Sequence, residues 1–166
     1  MVDRDLVASK LGELAEHVAR VRSRRKATAE DLRRDRDALD LVAFNLMLAV
    51  QACADVASHV IAGEGWPPPP SLGAPFERLR EHDIISAPVC EALARAVGLR
   101  NLIAHGYAGV RPEMVHAAAT TGLADLEAFA RDVGPGCRGK SERALQSEFG
   151  DHAHTSSSCR SAARCP

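Results

Sequence analysis

The chain has few aromatic residues and almost no net charge. Its 166 residues include four Phe, one Trp and one Tyr, so a platform of aromatic rings on which bases stack is not the expected mode of binding. Its 21 Lys and Arg are offset by 22 Asp and Glu, a formal net charge of -1. That balance argues against broad, sequence-independent capture of nucleic acid by bulk charge, but not against a local site that grips one phosphate. No apolar run approaches the roughly 20 residues that a membrane span needs. The opening Met1-Val2-Asp3-Arg4-Asp5 lacks the basic-then-apolar plan of a signal peptide. A cytoplasmic protein without membrane contact is expected. No CxxC pair occurs among the five cysteines. Cys53 and Cys90 fall in apolar helical patterns as small hydrophobes, and Cys137, Cys159 and Cys165 make no zinc spacing with His152 and His154. No metal and no cofactor are expected.

What is present is helical periodicity. Val7, Leu11, Leu14, Val18 and Val21 step by four, three, four and three, one face of a helix over 5–21. His17 flanks that stripe. Residues 22–27, Arg-Ser-Arg-Arg-Lys-Ala, read as a solvated basic connector that would lie near an RNA backbone if a nucleic-acid site were close. Thr28-Ala29-Glu30-Asp31 resembles a capping box and opens a helix of about 30 residues. Its apolar half, from Leu41 to Ala57, is apolar on nearly every side and so predicts a central helix, with a part in a dimer interface as a second expectation. Asn45 and Gln51 are its polar exceptions, expected as hydrogen-bonded core or interface amides.

Gly63-Glu64-Gly65-Trp66 and Pro67 to Pro70 stop that helix and predict an extended connector. A short helix over 75–82 with Phe76 and Leu79 inward follows, anchored by Ile84 and Ile85. Ser86-Ala87-Pro88 starts a fourth helix, with Ser86 as cap. Pro112 starts a fifth, with Val115, Ala119, Leu123, Leu126, Ala130 and Val133 inward. The expectation is one all-α domain over 1–133, a bundle of about five helices, four main and one short. Residues 134–166 form a tail without apolar period, expected to be disordered. The tail carries a net charge of +2, which leaves -3 on the helical part.

One stretch concentrates chemistry: Arg100-Asn101-Leu102-Ile103-Ala104-His105-Gly106-Tyr107. Arginine is a permanent cation whose planar fork fits a phosphate. Histidine gives or takes a proton near neutral pH. On a continuous helix Arg100 and His105 stand roughly 140° apart and cannot share a face, whereas Asn101 and His105, four apart, can. Arg and His can close on one phosphate only if the helix ends near His105, which Gly106 favours, or if two copies line one cleft. The residues alone also admit a plain structural reading, in which Arg100 pairs with an acid, His105 caps the helix and Tyr107 packs on the next helix.

The segment resembles the signature of the HEPN superfamily and, within it, of the HepT toxins of minimal-nucleotidyltransferase toxin–antitoxin systems. That pattern is Arg, four residues, His, one residue, Tyr, with a polar residue directly after the Arg. Arg100, Asn101, His105 and Tyr107 match all four positions. The resemblance spans about residues 2–133, including Val2-Asp3-Arg4-Asp5-Leu6-Val7 and the run Asn45 to Cys53; the tail departs from it. It implies a HEPN-type helical-bundle homodimer acting as a metal-independent endoribonuclease, with tRNA the expected substrate and a 2′,3′-cyclic phosphate the product. It implies catalytic roles for Arg100, Asn101 and His105. It makes Tyr107 the acceptor of AMP from a cognate nucleotidyltransferase antitoxin. The alternative is a non-catalytic dimer of the same fold that binds nucleotide or RNA and regulates the transferase.

Overall fold

The structure is a computed structural model, and it describes residues 2–106 and 110–136. These form an all-α bundle: α1 Arg4–Arg24, α2 Ala29–Arg34, α3 Arg36–Gly63, α4 Ala74–Glu81, α5 Ala87–Ala104, α6 Pro112–Ala117, a π-helical turn Ala118–Gly122, and α7 Leu123–Gly136. Helix α7 runs three residues past the expected end at Val133. The expected disordered tail lies, from Cys137 on, outside the described residues.

Helix α3 is the axis of the fold. Its 28 residues, about 42 Å at the usual rise, bury Val42, Leu46, Ala49, Val50, Cys53, Val56, Ala57 and Val60 among others. The others pack round it, α1 along its length. The expectation that no stretch is apolar enough for a membrane span needs correction. By length and composition α3 passes that test, and most of the stretch is buried inside the bundle, as in a core helix. Helix α1 turns the expected stripe inward: Val7, Leu14, Val18 and Val21 are buried and Leu11 packs at the edge. Asp3 caps it, accepting from the N–H groups of Asp5 at 3.0 Å and Leu6 at 3.2 Å.

The connector at 22–27 is not a free loop. Its first three residues complete α1, and three of its four cations have intramolecular acceptors. Arg22 pairs with Glu127 at 2.7 Å, Arg25 reaches the Ala119 carbonyl at 3.4 Å, and Lys26 meets Asp35 at 2.6 Å. These contacts join α1 to the start of α3 and to the α6–α7 arm, and they weigh against the RNA-facing reading.

The long helix expected from Thr28 is two helices. Thr28 does cap, accepting from the Asp31 N–H at 3.1 Å. The chain then breaks at Asp35 (φ -107°, ψ 88°), whose carboxylate accepts from the Ala38 N–H at 3.0 Å and so caps α3. The Asp35 carboxyl is held below its ordinary range, chiefly by the hydrogen bond from Lys26 and next by the Ala38 N–H. Helix α2 leans on α6 through the buried Leu32 and the Arg33–Glu113 pair. The fifth helix is likewise divided. Val115, Ala119 and Leu123 repeat every four residues, more than a 3.6-residue turn allows, and the π turn between Ala118 and Gly122 absorbs the excess. Thr120 and Thr121 hydroxyls bond the Ala117 carbonyl at 3.1 and 2.9 Å there.

The α4 segment seats Phe76 edge-on to Phe129 of α7 at 5.8 Å, and both rings are fully buried. Trp66, at the head of the proline connector, stacks on His82 at 3.6 Å. Ser86 stands at the start of α5 without a side-chain cap; its own N–H donates to Asp132 at 3.3 Å. Asn45 is the hydrogen-bonded core amide expected: it donates to the Leu41 carbonyl at 2.8 Å, and its oxygen faces His17 Nδ1 at 3.1 Å. His17 is thus pinned between α1 and α3 rather than loose at the surface.

Candidate active site

The last two turns of α5 carry the segment. Its helix ends where the sequence suggested: Ala104 is the final helical residue, and His105 sits at the cap with φ -93° and ψ 4°. Gly106 takes the left-handed conformation (φ 59°), which costs a glycine little, and its N–H closes on the Ile103 carbonyl at 3.2 Å. The His105 N–H closes on Asn101 at 3.1 Å. His105 is exposed at the mouth of this turn, while Arg100 and Asn101 are half-buried one and a half turns earlier. Tyr107 lies outside the described residues.

Arg100 is held, not loose. One terminal nitrogen, Nη2, donates to Gln51 Oε1 of α3 at 2.9 Å. The other, Nη1, donates to Asn101 Oδ1 at 3.3 Å. Gln51 Nε2 in turn donates to Asp55 at 2.8 Å. Arg100 Nε is fully buried and finds no hydrogen-bond partner among the described residues. The reason lies beside it, in a small apolar cavity of about 40 Å³ walled by Leu46, Met47, Val50, Leu99 and Ile103. An arginine has five N–H donors. Two are used within the chain and one is buried, which leaves two on the terminal nitrogens for an anion.

The structure thus brings Arg100 and Asn101 together and stations His105 at the helix end. The acid partner that the plain structural reading gave Arg100 is replaced by a neutral amide, Gln51, so the guanidinium charge is not cancelled on contact. In the sequence Gln51 reads as a core or interface amide, and nothing singles out Asp55. Their i, i+4 spacing, on the half of α3 otherwise almost purely apolar, is the signal that was there to find. Among the described residues no group of three or more His, Cys, Asp or Glu is arranged to hold a metal ion.

An apolar stripe leads along α3 to this network. Leu41 is 45% exposed and Phe44 52% exposed, and Leu48 is half-buried. With Gln51 and Asp55 they follow one face of α3, at steps of three, four, three and four. Large apolar side chains left this open are uncommon in a bundle this well packed.

Comparison with known proteins bears on the family and the fold. The family model described as "Ribonuclease HepT-like" matches residues 14–133. A curated relative, the "mRNA nuclease HepT" of Shewanella oneidensis strain MR-1, is 26% identical over 125 residues, covering 75% of this chain and 93% of the relative. A solved structure described as the tri-AMPylated Shewanella oneidensis HEPN toxin in complex with MNT antitoxin shares the fold, with TM-score 0.74 and 24% identity, over 79% of this chain and 98% of that one. So does YutE of Bacillus subtilis, described as a cytosolic protein of unknown function, with TM-score 0.68 and 14% identity over 90% of this chain and 94% of that one.

Proposed function

We propose that this chain, which belongs to the HepT-like ribonuclease family, is a cytoplasmic endoribonuclease toxin that works as a homodimer and is silenced by AMP transfer to Tyr107 from a nucleotidyltransferase antitoxin. The observation that carries the reading is the family match over 14–133 together with Arg100, Asn101 and His105 gathered at the end of α5.

The chemistry needs little else. His105 takes the proton of a ribose 2′-hydroxyl, and the freed oxygen attacks the adjacent phosphorus. The bond from phosphorus to the 5′-oxygen breaks, and that oxygen leaves with a proton from an imidazolium. The second copy's His105 supplies that acid, so a dimer can provide base and acid at once. The products are a 2′,3′-cyclic phosphate and a free 5′-hydroxyl, and no metal is required. Arg100 binds the scissile phosphate and offsets the charge that builds on its oxygens. Asn101 keeps two amide donors beyond its bond to Arg100, for a phosphate oxygen or for His105.

The dimer is supported by the open Leu41–Phe44–Leu48 stripe, which is apolar, self-complementary in kind, and continuous with the Gln51–Arg100 network. Pairing two such stripes across a two-fold axis sets the two networks on one face. The antitoxin is supported by the complex in which the Shewanella toxin carries AMP and is bound by MNT. A bulky anion on Tyr107, two residues beyond His105, would repel RNA phosphate from the cleft. The Shewanella relative is named for mRNA, whereas the resemblance read from the sequence pointed to tRNA; we take mRNA as the first substrate to try and tRNA as the second.

Induced expression tests the reading. Wild type is expected to arrest growth, His105→Ala to relieve the arrest while remaining dimeric, and co-expression of the transferase to relieve it with one or more AMP groups on Tyr107. Equal arrest by wild type and His105→Ala would remove the catalytic reading and leave the non-catalytic dimer.

A further inference from the structure

Resting on the ribonuclease reading, we infer that Gln51 is a positioning residue for Arg100 and that Asp55 fixes Gln51 for that task. The orientation of the Gln51 amide is settled from both ends. Arginine only donates, so the atom 2.9 Å from Arg100 Nη2 must be the amide oxygen. An ionised carboxylate only accepts, so the atom 2.8 Å from Asp55 must be the amide nitrogen. A flipped amide would lose both bonds together. Asp55 therefore fixes which face of the amide Arg100 meets.

The second feature is charge. A carboxylate in place of Gln51 would hold Arg100 at least as firmly, but as an ion pair that competes with RNA phosphate for the same fork. The chain instead keeps its carboxylate one hydrogen bond further off, at Asp55, and meets Arg100 with a neutral acceptor. The guanidinium is oriented and its positive charge is left for the substrate. The third feature is the buried Nε. Walled by the apolar side chains of α3 and α5, it holds the plane of the fork, and the two N–H groups that remain beyond the bonds to Gln51 and Asn101 are both on its terminal nitrogens. Gln51 at Nη2 and Asn101 at Nη1 then stop rotation about the last bonds of the side chain. A misplacement of about 1 Å in such a group can cost as much as a hundredfold in rate.

The test is single-turnover cleavage of RNA by the full chain, enzyme in excess, with four variants. Gln51→Leu is expected to lower the rate constant about tenfold to a hundredfold with little change in the half-saturating concentration. Gln51→Glu is expected instead to raise the half-saturating concentration about tenfold, because its carboxylate competes with the substrate. Asp55→Asn, which can still offer an oxygen to Gln51, is expected to stay within about threefold of wild type, and Asp55→Leu to follow Gln51→Leu. In an Arg100→Ala background Gln51→Leu is expected to add nothing, since its effect runs through Arg100.

A readout independent of activity is the Arg100 Nε–H signal in ¹⁵N-labelled protein. It is expected to be slow to exchange in wild type and lost in Gln51→Leu, with helicity unchanged. Full activity of Gln51→Leu, or a loss that adds to that of Arg100→Ala, overturns the inference while leaving the ribonuclease reading intact. Absence of cleavage by wild type, or full cleavage by Arg100→Ala, overturns the ribonuclease reading and this inference with it.

Discussion

Replacing Phe44 by alanine should cost the dimer far more than it costs the fold. A Phe side chain presents about 200 Å² to its surroundings when fully covered. In the protomer 52% of Phe44 is exposed, so roughly 100 Å² remains for a partner to cover. At about 25 cal/mol per Å² that is about 2.5 kcal/mol per copy, and a two-fold interface uses the residue twice. The alanine retains its Cβ and the facing side chains relax, so we take about 4 kcal/mol for the pair. That corresponds to roughly a thousandfold in the dissociation constant of the dimer. Sedimentation velocity across a concentration series measures this, with circular dichroism as the control for helicity. A dimer in nanomolar equilibrium should become micromolar. Cleavage should then rise with the square of Phe44→Ala concentration below that constant, because base and acid come from different copies. A Phe44→Ala dimer as tight as wild type, with full helicity, would refute the placement of the interface on this face; so would a wild-type chain that cuts RNA as a monomer.

Four other outcomes follow from the same geometry. Arg100→Ala should lower cleavage about a hundredfold to a thousandfold without altering dimerisation, measured on a fixed RNA oligonucleotide. Tyr107→Phe should cut RNA normally and gain no AMP from the transferase and ATP, as read by intact mass. Phe129→Ala should lose about 3–5 kcal/mol in urea unfolding, since it empties a fully buried site and strands Phe76. The fourth concerns pH. Asp35 has its folded pKa depressed, so its contribution to stability is complete above its unfolded pKa of about 4 and is lost as the pH falls through the folded value. Asp35→Asn, which can still cap α3 but cannot pair with Lys26, should flatten the acid limb of the stability profile and leave its neutral-to-alkaline shape unchanged. An equally steep acid limb would place the titration elsewhere.

The parts of this molecule that were legible in its sequence are those set by neighbours within a turn or two. The α1 stripe, the Thr28 cap, the prolines after α3 and the helix end at Gly106 are all local signals, and each appears in the structure. The break at Asp35 was not legible. No Gly or Pro marks it; Arg33-Arg34-Asp35-Arg36 reads as helix, and the break depends on Asp35 turning back to cap α3 while Lys26 of the connector neutralises it. The apolar richness of α3 read as a central helix, and its composition alone would equally suit a membrane; burial under α1, α4 and α5 decides it. The site divides in the same way. Arg100, Asn101 and His105 lie within six residues and announce themselves. Gln51 stands 49 residues from Arg100, and only the packing of α3 against α5 makes them neighbours.

The most direct measurement of the central claim is cleavage of total RNA by purified protein in EDTA, beside His105→Ala, with the new ends mapped. Cuts are expected from wild type alone, each leaving a 2′,3′-cyclic phosphate and a 5′-hydroxyl, and the mapped sites distinguish mRNA from tRNA. Intact RNA after incubation with unmodified, dimeric wild type would contradict it, as would cuts that persist undiminished in His105→Ala.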